Sequence, residues 1–245
     1  MTERLDCALT TRGLCSTRAK AQSIINEGYV TVNGTVCMKP SKKVLDTDNI
    51  LVTGSIPYVG RGGYKLRCAL SEFQISVHGL HCLDIGASTG GFTDCLLQNG
   101  AASVIAADVG HNQLAEELKH DPRVISMEGT DIRTLSPETE GLPVDFAVCD
   151  VSFISLTLIL PVMPALIKTK GEAVVLVKPQ FEAGRSAVGK NGIVRDPKIH
   201  RQVLDNIRKT AISCGFTVLA ECESPIKGGS GNKEFLLHLS LHNSI

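Results

Sequence analysis

The chain of 245 residues contains no tryptophan, and aromatic residues make up only 4% of it. A binding surface built from broad aromatic platforms is therefore not expected. Long apolar runs are also absent: the best candidate, residues 153–166, is shorter than the roughly 18 to 20 residues of a membrane-spanning helix and contains two prolines. The first ten residues lack the pattern of a signal peptide. These absences favour a globular protein without a membrane span.

Cysteine is frequent, with nine residues, but its spacing follows no metal or disulfide pattern. Because no Cys-x-x-Cys pair occurs, neither a zinc site nor a disulfide framework is expected. Scattered cysteines of this kind are typical of small buried side chains in a reducing compartment. We therefore expect a cytoplasmic protein that binds no metal.

The net charge of zero hides an uneven distribution. Residues 1–67 contain ten Lys or Arg against five acids, a net charge of +5, so the remainder carries the balancing negative charge. Positive charge concentrated in the first part of the chain favours a nucleic-acid partner, because phosphates attract clustered Lys and Arg side chains.

The basic region has the pattern of two short helices and a hairpin. Gly13 is expected to end the first helix, Ser16 to cap the second and Gly28 to end it. A β-branched strand then meets the hairpin signal Asn33-Gly34. The basic residues expected to contact RNA from this module are Arg4, Arg12, Arg18, Lys20, Lys39, Lys42 and Lys43.

The rest of the chain alternates between strand and helix patterns, which predicts a doubly wound, mostly parallel α/β sheet. The domain boundaries are expected at residues 1–55 for the basic module, 56–63 for a linker and 64–245 for the α/β domain. Since residues 228–231 leave no room for a helix between the last two strands, one of these strands is expected to be antiparallel. Strands are predicted at 81–85, 103–107, 124–127, 145–149, 173–177, 216–222 and 234–241, and helices near 91–99, 113–119, 157–168 and 197–214.

The segment LDIGASTGGFTD, residues 83–94, is a short apolar strand followed by a glycine-rich turn into a helix. Glycine allows the backbone to turn sharply and to approach a ligand, and free amides at a helix start favour polar or anionic groups. Ser88 breaks the dinucleotide pattern G-x-G-x-x-G. The residues predicted to bind a nucleotide-like cofactor here are Asp84, Gly86, Ala87, Ser88, Gly90 and Gly91.

Further acids follow the next predicted strands, and ligands of such sheets bind at the carboxyl ends of strands. Asp108 is placed to accept both hydroxyls of a ribose, and Asp131 to accept an exocyclic adenine amine. Asp150 is the third such acid. A cofactor that carries adenosine without a pyrophosphate fits this set, which favours S-adenosyl-L-methionine over a nicotinamide dinucleotide.

Asp150 and Lys178 end neighbouring strands, and Lys65 and Glu234 come from the first helix and the last strand. Methyl transfer to an alcohol needs the hydroxyl proton removed, and a lysine can accept it only where burial or another cation lowers its pKa. Lys65 is the candidate for that second cation. Position 150 starts Asp-Val-Ser-Phe, not the Asn/Asp-Pro-Pro-aromatic segment of base-amino methylating enzymes, which favours a ribose oxygen as acceptor.

The long segment between the fifth strand and the next helix, residues 179–196, contains three glycines and three cations. A loop of this length beside a reaction centre is typically a lid or a substrate contact. We expect its cations, Arg185, Lys190 and Arg195, to contact RNA phosphates.

Several strings in the sequence resemble two known kinds of domain. RLDCALTTRGLCSTRAKAQSIINEGYVTVNG resembles the RNA-binding module of the fourth small-subunit ribosomal protein, of pseudouridine synthases and of bacterial tyrosyl-tRNA synthetases. The strings VGRGGYKL, LDIGASTGGFTD, CDVSFISL, VKPQFEAGR and GNKEFL resemble FtsJ-type ribose methyltransferases and, with the basic module, the TlyA family.

The resemblance implies a seven-stranded Rossmann-like methyltransferase sheet preceded by a small α+β RNA-binding domain. It implies a catalytic Lys-Asp-Lys-Glu tetrad at Lys65, Asp150, Lys178 and Glu234, and 2′-O-methylation of cytidine in ribosomal RNA or ribosomal subunits. A partner chain is not needed to complete an RNA site, so a monomer is compatible with it. Some members of the family are named haemolysins.

Three alternatives remain open from the sequence. Residues 86–90 also match the G-x-S-x-G elbow of hydrolases, with Asp150 and His200 following in the chain order of a catalytic triad. A non-catalytic RNA-binding protein with a vestigial cofactor pocket is the second alternative. A membrane-lytic protein is the third.

Overall fold

The computed structural model describes residues 2–184, 187–228 and 231–242, with the backbone alone for Lys190. The chain divides into two compact units, Met1–Val59 and Gly60–Ile245. Each unit has its own hydrophobic core.

The first unit combines two helices with short strands. Its elements are β1 (Thr2–Arg4), α1 (Leu5–Thr11), α2 (Arg18–Asn26), β2 (Val30–Val32), β3 (Thr35–Val36), β4 (Lys43–Leu45) and β5 (Ile50–Val52). Strand β2 pairs with β3 and β5, and β1 pairs with β4, all antiparallel. The apolar sides of both helices pack on these strands around Leu5, Leu9 and Ile25.

Local signals in this unit were predicted well except at one helix start. Asn33 and Gly34 both have positive φ, at 53° and 78°, as a tight hairpin turn requires. The cap of α2 is Thr17, whose side chain accepts a hydrogen bond from the Lys20 amide at 3.2 Å. The prediction of Ser16 as the cap was therefore wrong by one residue.

The second unit is built on a seven-stranded sheet. Its strands are β6 (His81–Ile85), β7 (Ser103–Asp108), β8 (Val124–Glu128), β9 (Val144–Cys149), β10 (Ile167–Val177), β11 (Phe216–Glu223) and β12 (Phe235–Leu241). Their order is β11-β12-β10-β9-β6-β7-β8. Strand β12 runs antiparallel to both neighbours, and the other pairs are parallel. The predicted fold class, including one antiparallel strand, is confirmed.

The helices of the second unit are α3 (Gly62–Glu72), α4 (Gly91–Gln98), α5 (Glu116–Lys119), α6 (Met163–Leu166), α7 (Pro179–Glu182) and α8 (Pro197–Ser213). The predicted helix over 157–168 is wrong. A 3₁₀ turn, Leu156–Leu158, and the one-turn α6 replace it, and Ile167 already pairs with Val144 of β9. Pro161 cannot continue a helix from the preceding turn, which explains the break.

The central strands of the sheet are buried on both faces. Leu83, Ile105 and Val175 pack with α8 and the segment before β10, whereas alternate residues such as Val104 and Val174 are buried on the other side. Within the described part of the chain, no helix is long and apolar enough to cross a membrane.

Candidate active site

Strands β6 and β9 are neighbours although they are not consecutive, so the order of the sheet reverses between them. Ligands of open α/β sheets bind outside the carboxyl ends of strands at such a reversal. The turn after β6 begins at Gly86, and Asp150 directly follows β9. The Asp150 amide donates to the Ile85 carbonyl at 2.9 Å, which holds the two strand ends together.

The glycine turn passes very close to the end of β9. Gly86 has φ +84°, and a Cβ placed on it would lie 2.8 Å from the Asp150 carbonyl oxygen. Gly90 has φ +92° and precedes the first turn of α4. Ser88 has φ +49°, and its amide donates to Asp108 Oδ2 at 2.8 Å. This contact joins the ends of β6 and β7, so the turn connects three strand ends.

Asp84 is completely buried beneath this turn. Its Oδ2 accepts hydrogen bonds from the Thr93 amide at 2.9 Å and the Thr93 hydroxyl at 2.7 Å. Its Oδ1 has no hydrogen-bond partner among the described residues. Burial, with a further contribution from the charge of Asp150, raises the pKa of Asp84 to about 7.

Replacement of Asp84 by asparagine is expected to change how stability depends on pH. With a pKa near 7 in the folded state and about 3.9 in the unfolded chain, the protonated carboxyl stabilises the fold below about pH 4. That contribution is lost as pH rises towards 7, because the folded state must then ionise a buried group. Relative to Asp84→Asn, wild type should therefore lose stability between pH 4 and 7 in urea unfolding, and a constant difference would contradict the shift.

A cavity of 410 Å³ lies beside the turn and contains Asp108 and Asp131. Asp108 Oδ1 also accepts the Gly110 amide at 2.7 Å. Asp131 forms a 2.6 Å ion pair with Arg133, and this hydrogen-bonded guanidinium lowers the pKa of Asp131 to about 2. Ile132, which is buried, supplies an apolar wall. The cavity combines an apolar surface with two aspartate side chains, a suitable chemistry for a nucleoside.

Two further cavities continue along the carboxyl edge. One of 180 Å³ shares Gly86, Ser88 and Asp150 with the first cavity. Another of 520 Å³ shares Ser152 and Lys178 with the second. The three therefore form a continuous series from β7 to β10.

All four residues of the predicted tetrad lie along this series and form two ion pairs. Lys178 Nζ lies 2.6 Å from Asp150 Oδ1 and donates to Ser152 Oγ at 2.8 Å. Lys65 Nζ lies 2.7 Å from Glu234 Oε2, and both of these side chains are buried. Lys178, Lys65 and Glu234 line the 520 Å³ cavity.

Phe153 was missed as a site residue in the sequence. It is 91% exposed, has φ +65° and lines both the 410 Å³ and the 520 Å³ cavities. Its ring lies 5.1 Å from that of Phe181, centroid to centroid. In the sequence it opens an apolar run, so it was indistinguishable from a core residue. An aromatic ring so exposed at a cavity mouth offers a face on which a base can stack.

The chain is similar to known proteins over nearly all of its length. Residues 58–241, which make up most of the chain, match the family described as FtsJ-like methyltransferase. The chain belongs to the FtsJ-like methyltransferase family. Residues 3–50 match the S4 domain.

Similar proteins share both regions of the chain. Hemolysin A of Brachyspira hyodysenteriae is 47% identical over 96% of this chain and 98% of its own. The 16S/23S rRNA (cytidine-2′-O)-methyltransferase TlyA of Mycobacterium tuberculosis is 43% identical over 96% and 89%. A solved structure from Streptococcus thermophilus, described as a hemolysin, is 48% identical, covers 99% of this chain and 90% of its own, and has a TM-score of 0.78.

We call Met1–Val59 the S4 unit and Gly60–Ile245 the methyltransferase unit. In the S4 unit, several predicted RNA contacts have intramolecular partners. Arg4 and Arg18 bind the buried carboxylate of Asp6 at 2.9 and 3.0 Å. The hydrogen bond from Arg4 holds the pKa of Asp6 well below its usual range. Arg12 donates to the carbonyls of Asp48 and Leu45 at 2.7 and 2.8 Å. These three arginines contribute to the packing of the S4 unit.

The other predicted RNA contacts differ in exposure. Lys20, Lys39 and Lys43 are exposed and Lys42 is half-buried in the S4 unit. Arg195 is exposed in the methyltransferase unit. Arg185 and the side chain of Lys190 lie outside the described residues.

The hydrolase alternative is not supported by the geometry. The Ser88 hydroxyl donates to Gln113 Oε1 at 3.1 Å. His200 is buried, and its Nε2 contacts the Val194 carbonyl oxygen at 3.0 Å. The serine therefore has a glutamine as its partner, and the histidine is committed to a backbone group. In the described part of the chain, no cluster of His, Cys, Asp or Glu is arranged to hold a metal ion.

Proposed function

We propose that this chain is an S-adenosyl-L-methionine-dependent methyltransferase of the cytoplasm that methylates the ribose 2′-hydroxyl of cytidine in ribosomal RNA. The observation that carries the proposal is the pair of ion pairs, Lys178–Asp150 and Lys65–Glu234, along cavities that continue from the glycine turn. The activity named for the mycobacterial relative supports the choice of ribose, base and RNA.

The residues at the turn fit this cofactor. Bound there, it would supply a methyl group activated by a sulfonium. Asp108 and Asp131 would hold the adenosine in the 410 Å³ cavity. Gly86 and Ser88 would let the remainder pass close to the backbone in the 180 Å³ cavity. Asp84 is buried beneath the turn with one oxygen lacking a described partner, and its burial favours the neutral carboxyl. A cationic ligand bound above it would favour the ionised form, so the two would attract each other.

Lys178 is proposed to take the proton of the acceptor hydroxyl. Asp150 and Ser152 fix its amine at the join between the 180 Å³ and 520 Å³ cavities. Lys65, oriented by Glu234, adds a cation to the same cavity. The same cation favours negative charge on the attacking oxygen. Phe153 offers its exposed ring to the base of the acceptor nucleotide.

The S4 unit is proposed to bind the RNA through its exposed lysines. In the double variant Lys39→Ala/Lys43→Ala, RNA affinity should fall uniformly across sequences. The slope of log affinity against log salt should fall by about 2, since each phosphate contact contributes about one ion. Fluorescence anisotropy at several salt concentrations measures both. The control Lys168→Ala/Lys170→Ala removes the same charge from the other unit, and an equal effect there would contradict a specific role for the S4 unit.

The direct test of the proposed function is transfer of labelled methyl to ribosomal subunits from a strain that lacks the modification. Alkali-resistant linkages should map the methyl group to the 2′-oxygen of a cytidine. Methyl found on a base would refute the ribose assignment. Absence of any transfer, together with RNA binding, would favour the non-catalytic alternative.

A further inference from the structure

One buried carboxamide anchors the segment that precedes α8. Asn232 is 1% exposed. Its Oδ1 accepts a hydrogen bond from the Val194 amide at 2.9 Å, and its Nδ2 donates to the Gly192 carbonyl at 2.9 Å. The side chain thus bonds to the backbone on both sides of residue 193, as a neighbouring strand would. This arrangement needs a donor and an acceptor on one short side chain, which asparagine supplies.

The anchored segment has a second fixed point at His200. Val194 is buried, and its carbonyl oxygen lies 3.0 Å from His200 Nε2. Because a carbonyl only accepts hydrogen bonds, this nitrogen carries the proton. The His200 ring packs edge-on against Phe235, with 5.6 Å between centroids. Val194 is therefore held at its amide by Asn232 and at its carbonyl by His200.

The anchor lies next to the catalytic pairs. Glu234, the partner of Lys65, follows Asn232 by two residues, and its main-chain carbonyl accepts the Ser224 amide at 2.9 Å. Gly192, which Asn232 holds, lines the same 520 Å³ cavity as Lys65 and Glu234. One short segment thus carries both Glu234, whose carboxylate pairs with Lys65, and Asn232, which supports the cavity wall at Gly192. A change at Asn232 must alter the position of that wall relative to the ion pair.

We propose that Asn232 is a positioning residue for methyl transfer: it holds the Gly192–Val194 segment, and with it Gly192 in the wall of the acceptor cavity, in register with the Lys65–Glu234 pair. The inference rests on the proposed function, because it assigns that cavity to the RNA acceptor. Asn232 does not line the two cavities assigned to the cofactor. Its loss should therefore impair the use of RNA while S-adenosyl-L-methionine still binds.

The test uses Asn232→Asp, which keeps the size and the acceptor but sets an oxygen against the Gly192 carbonyl. Misplacement of a substrate-contacting wall should lower kcat/KM for RNA by about 10- to 100-fold. Cofactor affinity, measured by calorimetry, should stay at the wild-type value. Trypsin should cleave faster after Lys190 and Arg195. His200→Phe, which preserves the packing on Phe235 and removes only the bond to Val194, should act in the same direction.

The control is Asn206→Asp on the exposed side of α8, which should match wild type in every measurement. Wild-type kcat/KM in Asn232→Asp would overturn the proposal, and so would a parallel loss of cofactor affinity. If Asn232→Asp does not fold, His200→Phe decides between these outcomes. If wild type itself transfers no methyl to RNA, the proposed function fails, and unchanged tryptic cleavage in the variants then refutes the anchor separately.

Discussion

Replacement of Lys178 by alanine is expected to lower the rate of methyl transfer by about 100- to 10,000-fold, the usual contribution of a positioned acid or base. The amine of Lys178 is fixed by Asp150 at 2.6 Å and by Ser152 at 2.8 Å where the two cavities join. Its removal takes away the proposed proton acceptor and leaves the glycine turn in place. Calorimetry should therefore still detect binding of S-adenosyl-L-methionine.

Two further variants sharpen this experiment. Lys178→Arg keeps the positive charge but cannot accept a proton, because arginine stays protonated in proteins. It should be as inactive as Lys178→Ala, and substantial activity would show that charge alone suffices. Lys168→Ala is the matched control, since Lys168 forms a similar 2.7 Å ion pair with Asp145 away from these cavities. It should retain wild-type activity.

Replacement of Gly86 by alanine is expected to destabilise the protein and abolish cofactor binding together. A side chain at φ +84° costs about 1–2 kcal/mol. The added Cβ would also lie 2.8 Å from the Asp150 carbonyl oxygen, and overpacking of this kind costs typically about 1–3 kcal/mol more. Relief of the contact must move Asp150, and Lys178 with it. Urea unfolding and calorimetry measure the two effects.

Gly79→Ala separates strain from collision. Gly79 has φ +76°, close to that of Gly86, but a Cβ there would meet nothing within 4 Å. This variant should lose only about 1–2 kcal/mol of stability from the backbone conformation and should bind the cofactor normally. Equal losses in the two variants would mean that the approach of the turn to Asp150 has no role.

The central strands of the sheet were predictable because they are short apolar runs, which are buried on both faces of the sheet. The structure of residues 157–168 was not predictable, because the apolar residues between Pro161 and Ile167 fit a helix or a strand equally well. Pairing of Ile167 with Val144 resolves that ambiguity only in the folded chain. Phe153 shows the same limit, since an apolar residue in a sequence does not reveal whether it faces the core or a cavity mouth.

The basic module shows a different limit. Its excess of Lys and Arg indicated an RNA partner, and the S4 match agrees with that class of module. The count of charges did not show that Arg12 serves the Leu45 and Asp48 carbonyls, or that Arg18 serves Asp6. A charge available to phosphate and a charge used inside the fold look alike until the partners are known.

Local chemistry was therefore determined by the sequence alone: a glycine turn after a strand, acids and a lysine at strand ends, and a basic module ahead of them. These features depend on residues near one another in the chain, where turn geometry and hydrophobic period act directly. Tertiary structure alone decided which strand ends are neighbours, how Lys65 reaches Glu234 across the unit, and that Asn232 anchors Gly192. Those contacts join residues far apart in the chain, and packing of the whole sheet selects them.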